Sequence, residues 1–245
     1  MSYIIAEDLV KHYGAGDVTV PAVRSISFEV QEGEFVAIMG ESGSGKSTLL
    51  SMMGALNTPT SGTLITDDID IYTLTQNQRA DFRREFLGFI FQSFQLVTYL
   101  TLAENVMLPL VTVNARKREK QEMAHEALAR VGLEGLEKRL PNQISGGEQE
   151  RVAIARAIVN EPPILLADEP TGNLDSKTSA DVMGFLYKLN AEGMTIVMVT
   201  HSYEAARNAR RILQISDGLL TDEEIIHHDA PSAESSDASP AVDNA

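Results

Sequence analysis

Residues 34–55 read EFVAIMGESGSGKSTLLSMMGA, and the passage from the first six to the rest decides the fold. EFVAIM (Glu34–Met39) is a short apolar run with β-branched and aromatic members, as in a buried strand. It runs straight into Gly40-Glu41-Ser42-Gly43-Ser44-Gly45-Lys46-Ser47-Thr48, after which Lys46–Ala55 reads as a helix. The stretch matches G-x-x-x-x-G-K-[ST] in the strand-to-helix setting that gives the pattern its meaning. Glycines let successive N–H groups converge on phosphate oxygens without Cβ clashes. The helix start adds partial positive charge. Lys46 is expected to reach the β and γ phosphates of a nucleotide, and Ser47 to offer its hydroxyl to Mg²⁺.

Working outward, Ile164–Glu169 (ILLADE) is a second apolar run, and it ends on two carboxylates. In open α/β sheets ligands bind at the ends of parallel strands, where Asp168 and Glu169 would emerge. Asp168 suits a Mg²⁺ ligand through water, and Glu169 suits the group that polarises an attacking water. Thr195–Thr200 (TIVMVT) is another buried strand. Upstream, Tyr3–Leu9 and Ser25–Val30 flank a glycine turn and suggest antiparallel strands, and Thr63–Ile71 reads as a further hairpin strand. From about Ser93 to Asn160 the pattern is helical. Met123, Ala124, Ala127, Leu128 and Val131 form one apolar face with Gly132 as its C-cap, and Val152, Ala155, Ile158 and Val159 form another. Val182, Phe185, Leu186 and Leu189 mark one more helix. Alternating strands and helices imply an α/β fold around a mostly parallel sheet.

The chain has 245 residues, a length that supports a packed core, with 35 Asp and Glu against 20 Lys and Arg. Such acidity argues against non-specific nucleic-acid binding, so no nucleic-acid partner is expected. Thr221–Ala245 holds seven acidic residues and no Lys or Arg; from Pro231 the composition is that of a disordered tail. With no cysteine, disulfides and thiolate metal sites are excluded. No secretory signal is visible at the N-terminus. Phe86–Ala103 is 18 residues without a charge, but Gln92, Ser93, Gln95, Thr98 and Thr101 would be costly in hydrocarbon, so no membrane span is expected.

Three weaker features complete the pattern. Ile144-Ser145-Gly146-Gly147-Glu148-Gln149 precedes a helix, Gln92 lies between apolar runs, and His201 follows TIVMVT. Alone, each is ordinary: an N-cap, a strand-end polar group, a loop histidine. Together and in this order they closely resemble the ATP-binding subunits of ABC transporters, over roughly Ser2–Asp217. Gly40–Thr48 matches that family's phosphate loop, Gln92 its Q-loop, Ile144–Gln149 its signature, Ile164–Glu169 its Walker B strand, Asn173-Leu174-Asp175 its D-loop and His201 its switch histidine. Tyr13 stands where the family places an aromatic against adenine.

The resemblance implies a RecA-like P-loop NTPase core with an antiparallel β-subdomain and an α-helical subdomain at about 93–160. One ATPase domain would span 1–221, followed by an acidic tail at 222–245. It also implies two Mg-ATP held head to tail between two copies, each with Lys46, Glu169 and His201 as catalytic groups. Ser47, Gln92 and Asp168 would serve the metal, and Ser145, Gly146, Gly147, Glu148 and Gln149 would act on the other copy's ATP. Ile144 and Glu148 depart from the commonest signature, LSGGQ, leaving Glu148 and Gln149 both open for the role of its glutamine. The sequence looks most like the lipoprotein-releasing, macrolide-export and cell-division branch. That branch works at the cytoplasmic face of the inner membrane with permeases having a large extracytoplasmic domain. Docking of such a permease is expected near Ser93–Glu104, whose apolar residues are too many for a free loop. Mechanical signalling without transport is the alternative, since both use one motor. A soluble repair or translation ATPase is disfavoured: only 53 positions separate Gln92 from Ser145, and the chain carries one cassette.

Overall fold

The structure, a computed structural model, describes residues 2–15 and 18–226; the segment from Pro231 lies outside the described residues. The chain opens with β1 (Ser2–Ala15) and β2 (Val18–Gln31), paired antiparallel. It then enters a second sheet through β3 (Phe35–Met39) and continues into α1 (Lys46–Met53). β4 (Ser61–Thr66) returns to the free edge of β1 and forms a tight hairpin with β5 (Ile69–Asp70). The first sheet thus has the order β2-β1-β4-β5, and the single strand expected over Thr63–Ile71 is two strands around the turn at Asp67-Asp68.

α2 (Gln76–Phe86) was not evident from apolar periodicity. A capping box starts it: the Thr75 side chain accepts from the Gln78 N–H, and Gln78 reaches back to the Thr75 N–H. β6 (Leu87–Ile90) follows, then α3 (Leu102–Met107), α4 (Lys117–Arg130) and α5 (Gly146–Ile158). Gly132 follows α4 with φ +71°, as a C-terminal glycine should. β7 (Ile164–Asp168), α6 (Ser176–Ala191), β8 (Thr195–Thr200), the short α7 (Tyr203–Ala206) and the hairpin β9 (Arg211–Ser216) and β10 (Leu219–Ile225) complete the described chain. The second sheet has the order β10-β9-β3-β8-β7-β6 and is parallel except for β10.

β10 corrects one expectation. The boundary set at 221 falls inside a strand, because Asp222, Glu223 and Glu224 pair with Gln214, Leu213 and Ile212 of β9. The turn Asp217-Gly218 has φ +49° and +77°, the geometry of a two-residue hairpin. Charges on an edge strand discourage pairing with other chains, so acidity and strand structure are compatible here.

Strand alternation gives the central sheet two apolar faces. Phe35, Ala37, Leu165, Ala167, Ile196 and Met198 face one cluster with residues of α3, α4, α5 and α6. Val36, Ile38, Leu166, Val197 and Val199 face the other, shared with α1 and the antiparallel sheet. Register then builds the site. Met39 lies opposite Thr200, and Asp168 opposite Val199, so β3, β7 and β8 end together. Gly40, Glu169 and His201 therefore leave the sheet side by side. Among the described residues no helix is long and apolar enough to cross a membrane.

Candidate nucleotide site

A cavity of about 800 Å³ opens at those strand ends. Gly40–Gly43, Gly45–Thr48, Gln92, Glu169 and His201 line it. Two glycines of the loop are sterically required. A Cβ on Gly40 would stand 2.1 Å from the Ile215 carbonyl oxygen, and one on Gly45 would stand 2.2 Å from that of Ala22. Gly45 also has φ +102°. α1 begins there with no side-chain cap and no acidic residue in its first turn, so its N–H groups are left to an incoming anion. Buried Ser44 has a hydroxyl without a partner. Lys46, only 6% exposed, donates from Nζ to the Gly40 and Glu41 carbonyls, at 2.8 Å each. Its ammonium thus rests on the loop that it would leave for phosphate oxygens.

Ser47 Oγ donates to Asp168 Oδ1 at 3.0 Å, joining the two motifs across the cavity floor. Burial raises the Asp168 pKa and the neighbouring Glu169 adds to this, against the pull of the Ser47 hydrogen bond and the Lys46 charge. A hydroxyl beside a half-buried carboxylate fits Mg²⁺, which takes one or two protein ligands and fills the rest with phosphate and water. Among the described residues no three His, Asp or Glu cluster into an all-protein metal cage. Glu169 follows with φ +49°, its N–H donating to the Val199 carbonyl at 3.0 Å. That turn brings its carboxylate to His201, whose Nδ1 lies 2.8 Å from Glu169 Oε2. Backbone strain of this kind at a strand end is typical of a working residue.

The remaining expected residues divide. Gln92 lines the cavity, and its backbone carbonyl accepts from Asn173 Nδ2 at 3.1 Å. Ser145, Gly146, Gly147, Glu148 and Gln149 stand apart from it at the start of α5. There Ser145 accepts from the Glu148 N–H at 3.3 Å, and Glu148 Oε2 accepts from the Ser145 N–H and hydroxyl at 2.7 and 2.8 Å. Those bonds hold the Glu148 carboxyl below its usual range. Asp175 caps α6, accepting from the Thr178 N–H at 3.0 Å and hydroxyl at 2.6 Å. Thr178 in turn packs on α5: a Cβ on Gly147 would meet its Cγ2 at 2.1 Å. Tyr13 is 44% exposed, hydrogen-bonds to Asn57 and stacks under Lys11, and it is outside the cavity lining. Sequence reasoning missed Gln214, which lines the cavity from β9, and, although it placed Asn173 in the D-loop, it missed the contact of Asn173 with Gln92. The polar Gln214 inside the apolar run Ile212–Ile215 was the available signal for the first.

A phosphate loop joined to a carboxylate pair, with a separate capped helix start, is the arrangement of an ATP-binding cassette. The ABC transporter family model matches residues 23–172. The chain is 46% identical over 213 residues to the uncharacterized ABC transporter ATP-binding protein YvrO of Bacillus subtilis, covering 87% of this chain and 93% of that one. It is 45% identical over 223 residues to the macrolide export ATP-binding/permease protein MacB of Mannheimia succiniciproducens, covering 91% of this chain but only 35% of that one. The solved cassette MJ0796, a dimer bound to ADP and phosphate in a post-hydrolysis state, superposes with a TM-score of 0.85 at 42% identity. That match covers 92% of this chain and 99% of the other. The chain belongs to the ABC transporter family of ATP-binding cassettes and is an ATPase.

Proposed function

We propose that this chain is the motor of an export system, working as a head-to-tail homodimer in which each copy's signature closes the other's nucleotide cavity. One observation carries this: Ser145–Gln149 form an exposed helix start outside the cavity that Lys46, Gln92, Glu169 and His201 line in their own chain. The dimeric cassettes among the solved relatives support the same assembly. In the cycle, Lys46 moves from the Gly40 and Glu41 carbonyls to the β and γ phosphates. Glu169 orients the attacking water, with His201 holding its carboxylate, and the partner's Ser145 and α5 N-terminus neutralise charge on the γ-phosphate. Ser47 and Asp168, with Gln92 lining the same cavity, would hold Mg²⁺, which would supply charge neutralisation to the phosphates. Tyr13 contacts adenine once nucleotide draws it over the cavity. Asp175 stands between the two sites.

The driven element is a permease of the macrolide-export type, on this or another chain, at the cytoplasmic face of the inner membrane. Supporting it is an apolar groove of about 310 Å³ lined by Leu56, Leu87, Phe89, Phe91 and Pro109. None of Ser93–Glu104 lines it, and within that segment Tyr99 stands 81% exposed. Such a surface suits a short amphipathic helix. Cargo would be a drug, peptide or lipoprotein.

Mixing inactive Lys46→Ala and Ser145→Arg chains tests the division of labour. In a mixed dimer one composite site carries both lesions and the other carries neither, so ATPase activity returns. Failure to recover activity at any ratio would mean either that the two sites act only as a coupled pair or that the dimer geometry is wrong.

A further inference from the structure

The residues just after Gln92 hold an unusual backbone. Phe94 and Gln95 both lie in the left-handed region, with φ +56° and +52°, though neither is glycine. Two such residues in succession persist only where their surroundings hold them. Here Arg156 does so from the last turn of α5. Its Nη2 donates to the Phe94 carbonyl at 2.6 Å and its Nη1 to the Gln95 carbonyl at 2.5 Å, so the planar fork holds two successive carbonyls in a fixed geometry. On the other side, Asn173 holds the Gln92 carbonyl. The backbone that carries Gln92 into the cavity is therefore pinned from two elements, one of them the helix that begins with Ser145.

Glu150, on the same helix, leaves that clamp alone. It is 1% exposed, its Oε1 has no hydrogen-bond partner, and burial pushes its carboxyl up to about 8 against the opposing pull of Arg156. Near neutral pH it is mostly uncharged, and the Arg156 donors stay with the loop.

We propose that Arg156 is a positioning residue for the nucleotide site: by clamping Phe94 and Gln95 it sets where Gln92 stands and ties that loop to the signature helix. The proposal rests on Gln92 being part of the nucleotide site. A shift of α5 when a partner's nucleotide engages Ser145 is then passed to Gln92 through one side chain, and the two composite sites sense each other through it.

The test uses the full chain and four readouts: melting temperature, affinity for a fluorescent ADP, ATP turnover and hydrogen exchange of residues 92–101. Arg156→Met is made together with Glu150→Gln, so that no buried carboxyl is left facing a vacated cation site. Measured against Glu150→Gln alone, that pair is expected to keep ADP affinity and melting temperature, to speed exchange locally in residues 93–97 and to slow turnover roughly tenfold, as loss of a charge-assisted bond allows. Arg156→Lys, which keeps the charge but loses the planar fork, should fall between, and it carries the test if the double variant fails to fold. Faster exchange spread over the whole chain, with the loop no different from the rest, would make Arg156 merely structural and overturn the clamp. Gln92→Ala separates the two ideas. If it slows turnover while both Arg156 variants match wild type, the clamp fails and the site assignment stands. If Gln92→Ala is itself without effect, the assignment of Gln92 fails and the clamp falls with it.

Discussion

Two helix N-termini meet phosphate in the proposed cycle, and the chain prepares them in opposite ways. α1 starts at Gly45 with no side-chain cap and no acidic residue in its own first turn, beside the unpartnered Ser44 hydroxyl. α5 starts with a closed capping box in which Ser145 and Glu148 satisfy each other. An uncapped start is a standing anion site, ready within its own chain. A capped start is stable by itself and receives phosphate only when a partner's nucleotide competes for its donors. The difference also bears on the two signature candidates: Glu148 is engaged as a cap, whereas Gln149 only touches the Ile144 carbonyl at 3.5 Å.

The comparison can be broken most easily at α1. Lys46→Ala removes the only ammonium in the loop, and ATP affinity should drop roughly a hundredfold, the scale of two charge-assisted bonds. Isothermal titration giving an unchanged affinity would mean that the loop does not hold phosphate. At α5, Gly147→Ala would drive a methyl into Thr178, which Asp175 holds in place. A loss of about 1–3 kcal/mol in chemical denaturation is expected. Adding Thr178→Ser removes the obstructing methyl, keeps the hydroxyl and should restore most of that loss.

A third effect is pH-dependent. The folded chain keeps the Glu150 proton up to about pH 8, whereas the unfolded chain releases it near the ordinary glutamate value of 4.5. The folded state binds the extra proton across that window, so stability falls as pH rises through it. Glu150→Gln should raise the melting temperature by roughly 5 °C at pH 8 and by nothing at pH 4, as followed by calorimetry. An equal gain at both would show that burial of the charge is not the cause. The smallest effects sharpen the contrast directly. Ser145→Ala should cost about 1 kcal/mol as a lost cap. Ser44→Ala, whose hydroxyl has no partner, should stay within about 0.5 kcal/mol of wild type.

What the sequence revealed was local, and what it hid was distant in the chain. The phosphate loop and Asp168-Glu169 are legible because their chemistry follows from neighbours in sequence, and α5 because its apolar face repeats regularly. The hairpin β9–β10 escaped notice although Asp217-Gly218 announces its turn, because acidic composition drew the boundary at 221. The Arg156 clamp could not be read at all. It joins residues 61 and 62 positions apart and depends on left-handed backbone at Phe94 and Gln95, types that carry no preference for it. The position of Tyr13, away from the cavity lining, likewise depends on Asn57 and Lys11 around it.

The central claim, that α1 serves its own chain and α5 its partner's, is tested most directly by sedimentation with ATP. Glu169→Gln keeps the phosphate contacts but loses the charge that polarises water, so this chain should bind ATP, fail to turn it over and sediment as a dimer. Adding Ser145→Arg should leave the ATP affinity of the dilute monomer unchanged while the chain stays a monomer at every ATP concentration. A monomer affinity that falls with Ser145→Arg would put the signature in the same chain's site, and a dimer that persists would remove it from the interface; either result contradicts the account.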